Sequence, residues 1–214
     1  MRLVLPRLYV ILDAALLTFP EKDCVRSLVD AGVRLIQYRN KSASARRLFE
    51  TSRELAEFLN PLGVRFIVND RADVAALIDA GGVHVGQDDL GVEQAREMVG
   101  TGRWVGVSTH NAEQLSTAAP SSANYIAIGP IFSTDSKKNP DPVVGEEFVR
   151  QARAMTDKPI VAIGGITLDR AAEVIEAGAD SVAVISDIWR AKHPGKRARQ
   201  YLDLLDKQNS GTAA

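Results

Sequence analysis

The chain has 214 residues, a formal net charge of −1, 45% apolar residues and 25% charged ones. That length suits one domain with a full core, and the near-neutral balance offers no bulk attraction to nucleic acid or to an anionic membrane surface. Cys24 is the single cysteine, so no internal disulfide forms; it lies in an amphipathic helical pattern and reads as core rather than nucleophile, which fits a reducing compartment.

Between Arg7 and Asp13 stand only five uncharged residues, fewer than a signal peptide's apolar stretch of roughly 7–15. Leu8 to Leu12 is therefore read as a first strand. No apolar run approaches the roughly 20 residues of a spanning helix, and the expectation is a cytoplasmic protein. A phrase then recurs along the chain: an apolar-periodic stretch, an acid-Ala-Gly stop, and an apolar run. It appears at Asp30-Ala31-Gly32 before Leu35–Arg39, at Asp79-Ala80-Gly81 before Val83–Val85, and at Glu176-Ala177-Gly178 before Ser181–Ile185. Glycine ends a helix in the left-handed conformation and the chain turns directly into a buried strand.

Filling the intervals predicts strands near 8–12, 35–39, 66–70, 82–86, 104–108, 125–130, 159–164 and 181–186. Helices are predicted near 21–31, 44–60, 72–80, 91–99, 111–119, 144–156, 169–177 and 195–207. Eight such alternations, about 27 residues each, predict an α/β protein with a single (β/α)8 TIM barrel over residues 1–214 and a frayed tail at 207–214. The runner-up, a doubly wound open sheet, more often carries a glycine-rich loop after its first strand, and Asp13-Ala14-Ala15-Leu16 is not one.

A barrel places its chemistry in the loops that follow the strands. The apolar run Phe66-Ile67-Val68 ends in Asn69-Asp70-Arg71, and the next strand, Gly82–Gly86, ends in Gln87-Asp88-Asp89. Carboxylates finishing neighbouring strands suit Mg²⁺, which takes one or two of them plus substrate phosphate; helix capping is the plainer role for the same residues. Adjacent residues point opposite ways, so one of Asp88 and Asp89 faces the site. After the second strand, Gln37, Arg39 and Lys41 alternate onto one side of the chain. They suggest an anion site, against the alternative of a solvated loop pair.

His84, flanked by valines, reads as a packed strand residue. Ser108-Thr109-His110 either bind a base edge or cap the next helix, with no acid placed to complete a hydrolase triad. The polar stretch Ser133–Pro140 has the length of an active-site lid. Gly164 and Gly165 after the seventh strand, with Val184-Ile185-Ser186 after the eighth, suggest a backbone phosphate cradle; a turn needing positive φ accounts for one glycine but not both. Two anion sites facing each other, one cationic and metal-assisted and one a cradle, suggest a transferase that joins two phosphorylated substrates.

At these residues the chain resembles the thiamine phosphate synthase family nearly end to end. The resemblance is carried by Gln37-Tyr38-Arg39-Asn40-Lys41, Val68-Asn69-Asp70, Gly82–Asp89, Gly106-Val107-Ser108, Gly129–Lys138, Ile163–Ile166 and Val184-Ile185-Ser186. The departures are mild: Tyr38 and Asn40 where the family more often has Leu and Glu, and Ser136 where Thr is common. The resemblance implies that hydroxymethylpyrimidine pyrophosphate and thiazole phosphate are joined to give thiamine phosphate and pyrophosphate. Gln37, Arg39, Lys41, Asn69 and Lys137 would hold the pyrophosphate, Asp70 and Asp89 the Mg²⁺, and Ser108 would face the pyrimidine. Thr134, Ser136, Gly165, Ile185 and Ser186 would hold the thiazole phosphate; Tyr38, Asn40 and Asp135 count with the substrate-contacting residues of their motifs. Arg39, Lys41, Lys137 and Ser108 are the implied catalytic groups, acting on a dissociative substitution that needs no nucleophilic side chain.

The partners are small molecules, with a homodimer allowed. Two rival readings are a thiazole tautomerase, which shares the cradle without a pyrophosphate site, and a non-catalytic phosphate-binding barrel.

Overall fold

The computed structural model describes residues 3–134 and 141–211, the side chains of 208–211 aside. Eight parallel strands close into a barrel in chain order: β1 (Leu8–Asp13), β2 (Leu35–Arg39), β3 (Arg65–Asn69), β4 (Gly82–Val85), β5 (Trp104–Thr109), β6 (Tyr125–Ile128), β7 (Ile160–Ile163) and β8 (Ser181–Val184). Helices alternate with them: α1 (Glu21–Asp30), α2 (Ala45–Leu59), α3 (Ala72–Leu77), α4 (Val92–Val99), α5 (Ala112–Ala118), α6 (Gly145–Met155) and α7 (Ala171–Glu176). A one-turn helix α8 (Ser186–Trp189) and the terminal α9 (Pro194–Gly211) complete the chain.

Strand alternation divides the apolar residues between two cores. Leu8, Val10, Leu12, Ile36, Tyr38, Phe66 and Val68 face outward into the layer between sheet and helices. Tyr9, Ile11, Leu35, Ile67, Tyr125, Ala127, Val161 and Ala183 fill the barrel's interior. The same parity turns Gln37 and Arg39 inward on β2. Pairing of Asn69 with His84 and of His84 with Gly106 carries the inward set round β3, β4 and β5.

The barrel prediction agrees with the structure, with local differences. The sequence reading missed α8: its four residues carry too little periodicity, and Ser186 extends the apolar run of β8 as though still in the strand. Trp189 anchors this turn, its buried indole donating to the Ile11 carbonyl at 2.7 Å. The helix α9 runs through Gly211, burying Ala198, Tyr201 and Leu205 on one face and packing on α1, α7 and α8. Residues 212–214 lie outside the described range.

Candidate active site

Two connected hollows open at the carboxyl ends of the strands. The deeper, about 90 Å³, is polar on one side, where Gln37, Asn69, His84 and Ser108 line it, and apolar on the other, where Val161, Ile163, Ala183 and Ile185 do. Above it an outer hollow of about 370 Å³ is bounded by Arg39, Lys41, Asp70, Asp89, His110 and Asp141, among others.

At the rim Asp70 takes a left-handed backbone conformation, φ 63°, which a non-glycine residue adopts only when its surroundings impose it. The Asp70 amide donates to the His84 carbonyl at 2.7 Å, holding the end of β3 against β4. Its carboxylate meets Lys41 and has Asp89 as a neighbour. Asp89 accepts the Gly86 amide at 2.8 Å, whereas Asp88 is exposed. Burial raises the Asp70 carboxyl above its ordinary value; Lys41 pulls it down and the neighbouring Asp89 pushes it up again. Two crowded carboxylates, one reluctant to ionise, form a place where added positive charge is favoured.

Arg39 enters the outer hollow from below, paired with Asp13, a carboxylate only 3% exposed. Asp13 also accepts the Ala15 amide at 3.1 Å, so the acid is fixed by the turn after β1 and in turn steers the guanidinium. Sequence reasoning passed over Asp13, although its place at the end of a buried strand was the available signal.

Ser108 hydrogen-bonds His84 Nε2 at 2.9 Å, and His84 Nδ1 meets the Tyr125 hydroxyl at 3.1 Å. His84 is thus part of the polar wall, not mere packing; strand alternation, which puts it in line with Asn69, carried that information. His110 is held apart from Ser108: its Nδ1 faces the Gly129 carbonyl at 2.5 Å and its Nε2 lies 3.5 Å from Asp141. An acid therefore does stand beside His110, but the serine is bonded to a different histidine and no triad is assembled.

Two of the expected contact residues have other partners in the structure. Tyr38 points away from the hollows: its ring is fully buried outside the barrel, its hydroxyl donating to Glu21 at 3.1 Å. Asn40 is spent on its own loop, its carbonyl accepting the amides of Ser42 and Ala43 at 3.3 and 3.0 Å and its amide donating to Tyr38 at 3.1 Å. Alternation along β2 sets the direction of the first and an Asx-type turn that of the second. Asp135, Ser136 and Lys137 lie outside the described residues, as does most of the stretch read as a lid.

Gly165 and Ser186 follow neighbouring strands β7 and β8, and Ile185 lines the deep hollow. The two glycines have a plainer cause than expected. Both are left-handed, Gly164 at φ 99° and Gly165 at φ 64°, and the loop after β6 crosses directly over them. A Cβ on Gly164 would lie 2.5 Å from Pro130, and one on Gly165 would lie 2.4 Å from the Ser133 carbonyl. Positive φ and close backbone approach thus account for both, contrary to the expectation that a turn explains one.

Comparison with known proteins gives a consistent result. A family model described as thiamine monophosphate synthase matches residues 8–188. The chain is 51% identical to the thiamine-phosphate synthase of Koribacter versatilis, over 95% of this chain and 97% of that protein. It is 42% identical to that of Chloroflexus aurantiacus, over 93% and 92%. The solved structure of the thiamine phosphate pyrophosphorylase from Pyrococcus furiosus superimposes with a TM-score of 0.84 at 31% identity, covering 94% of this chain and 96% of that one.

Proposed function

The chain belongs to the thiamine monophosphate synthase family, and from that premise we propose that it joins hydroxymethylpyrimidine pyrophosphate to thiazole phosphate, releasing pyrophosphate. The observation that carries this reading is the stacked arrangement of the two hollows. A cavity of about 90 Å³, polar on one side and apolar over most of its lining, lies beneath a rim that holds two guided cations and two neighbouring carboxylates.

The donor set fits Mg²⁺. Among the described residues no cluster of three or more His, Cys, Asp or Glu forms a closed cage. Two carboxylates from adjacent strand ends supply hard oxygen ligands and leave the remaining positions to water and substrate phosphate, as that ion requires. Asp70 and Asp89 would hold it, with Lys41 releasing Asp70 to turn toward the diphosphate. When bound, the ion supplies Lewis-acid stabilisation of the departing oxygens.

The rest falls to the chain's own side chains. Arg39, oriented from behind by Asp13, offers its remaining guanidinium donors to the diphosphate, and Lys41 adds a second charge. Asn69 lines both hollows, where the ring would meet its leaving group, and Gln37 lines the deeper one. Ser108 hydrogen-bonds the ring, and the apolar wall of Val161, Ile163, Ala183 and Ile185 excludes water from the cation left when pyrophosphate departs. The thiazole nitrogen then attacks that carbon; Gly165, Ile185, Ser186 and Thr134 hold its phosphate. No protein nucleophile takes part.

The test is direct. Purified protein with both substrates and Mg²⁺ is expected to form thiamine phosphate with one equivalent of pyrophosphate. Asp70→Asn is expected to lose roughly 10²–10³-fold in turnover while still binding thiazole phosphate. Isomerisation of the thiazole without coupling, or binding without turnover, would overturn the assignment.

A further inference from the structure

Beneath Ser108 runs a chain of hydrogen bonds that no step above employs. Gln37 Nε2 donates to the Tyr9 hydroxyl at 2.7 Å. The Tyr9 and Tyr125 hydroxyls are 3.0 Å apart, Tyr125 meets His84 Nδ1 at 3.1 Å, and His84 Nε2 meets Ser108 at 2.9 Å. Both tyrosines are buried in the barrel's interior, and burial pushes both phenols well above their ordinary value, so each remains an O–H group. The Tyr125 ring stacks on His84, with centroids 5.6 Å apart and planes 26° apart. Gly106 makes the room: a Cβ there would lie 2.1 Å from the Tyr125 ring.

The direction of the chain follows from counting protons. A phenol has one proton to give, and an amide nitrogen has no lone pair to offer in return. Tyr9 accepts from Gln37, and Tyr125 is the other polar partner of its hydroxyl among the described residues, so the Tyr9 proton goes to Tyr125. Tyr125 then gives its own proton to His84 Nδ1. A neutral imidazole that accepts at Nδ1 carries its hydrogen on Nε2 and donates it to Ser108. One lone pair of the Ser108 oxygen is taken from below, which leaves its own hydrogen for an acceptor in the cavity.

We infer that Tyr9 and Tyr125 are positioning residues that hold His84 as the Nε2–H tautomer and thereby make Ser108 a hydrogen-bond donor to the ring bound above it. Resting on the proposed reaction for the ring's identity, this assigns a specificity. The site accepts a heterocycle presenting a nitrogen lone pair to Ser108, as an aminopyrimidine does. It rejects the oxo analogue, whose corresponding nitrogen carries a hydrogen and sets donor against donor.

The test is an imidazole ¹⁵N–¹H correlation spectrum of the full-length, ligand-free protein. The chain has three histidines, and the His84 signal is identified by its loss in His84→Gln. The expected result is a single Nε2–H tautomer. A ring protonated at Nδ1, or an average of the two forms, overturns the inference.

In Tyr125→Phe, which keeps the stacked ring and deletes the hydroxyl, His84 is expected to leave the pure Nε2–H state. Its kcat/KM for the aminopyrimidine substrate should fall roughly 3–10-fold, the loss of one hydrogen bond's alignment, and discrimination against the oxo analogue should narrow. Retention of both tautomer and discrimination overturns the inference. Tyr9→Phe, which interrupts the chain one link earlier, serves where Tyr125→Phe does not fold. Because the wild-type spectrum needs no substrate, it can fail while the coupling assay succeeds, and the reverse.

Discussion

Asp13→Asn separates the two ways in which a buried acid can act on an anion site. In the structure the Asp13 carboxylate holds Arg39 with one oxygen and the Ala15 amide with the other. The amide side chain keeps the shape and one acceptor but removes the charge. Hydrogen bonds between charged groups contribute about 1.5–3 kcal/mol. At about 2–4 °C per kcal/mol for a chain of this size, the melting temperature should fall by about 3–12 °C. Binding should move the other way. A diphosphate on the far side of the guanidinium lies about 8 Å from the Asp13 carboxylate, the width of that group with a hydrogen bond on each side. The repulsion between unit charges at that separation is about 2 kcal/mol at an effective dielectric of 20 and about 1 kcal/mol at 40. Its removal should tighten magnesium pyrophosphate roughly 5–30-fold, read by isothermal titration calorimetry on wild type and variant. Weaker binding by the variant would refute the reasoning, since orientation of Arg39 would then outweigh the charge behind it. An unchanged melting temperature together with unchanged affinity would refute it entirely.

Asp70 gives a pH-dependent prediction. Its carboxyl lies above the ordinary value of 3.8, so the folded chain holds that proton more tightly than the unfolded one. The associated stability is present in acid and is lost as pH rises through the folded value. In chelator at neutral pH, Asp70→Asn should therefore melt higher than wild type, with the gain fading as pH approaches 3.8; a lower melting point at pH 7 would contradict it. The lost ion pair with Lys41 subtracts little, because that lysine is 56% exposed. Gly165→Ala should cost about 2–4 kcal/mol in urea unfolding, from the left-handed backbone and from a methyl driven against the Ser133 carbonyl. Trp189→Phe should cost about 1–3 kcal/mol by the same measurement, as the buried Ile11 carbonyl loses its donor.

The barrel was legible because its determinants are local and repeated. Each acid-Ala-Gly stop that marks a helix end is followed by an apolar run that the structure forms as a strand, and Gly32 and Gly178 adopt the left-handed conformation that such a stop requires. Rim residues such as Asp70 and Asp89 were legible for a related reason, since strand ends in a barrel converge wherever they lie in the chain. What escaped were residues whose meaning depends on parity within a strand. His84 was set aside for its valine neighbours, yet those valines face the helices while the histidine faces inward. Tyr38 was counted with Gln37 and Arg39 only as a member of one motif, and neighbours on a strand point to opposite faces. Tyr9 and Tyr125 carry no motif, and nothing in the sequence brings residues 116 positions apart into hydrogen-bonding contact before the barrel closes.

Charge balance at the mouth connects the fold to the chemistry proposed for it. Among the described residues the outer hollow is lined by one arginine and one lysine, Arg39 and Lys41, against four acidic side chains, Asp70, Asp88, Asp89 and Asp141. In the free protein each of the two cations is already held by an acid, Arg39 by Asp13 and Lys41 by Asp70. A diphosphate arriving alone would add negative charge to a rim whose described residues already hold more acids than bases, and would draw Lys41 from a carboxylate that burial has made reluctant to ionise. With a divalent cation both terms would reverse: Asp70 and Asp89 would hold the ion, and Lys41 would be free for the phosphate oxygens. The acids are therefore not opposed to an anion site. They are the reason that site should select a diphosphate bound to a metal over a bare one.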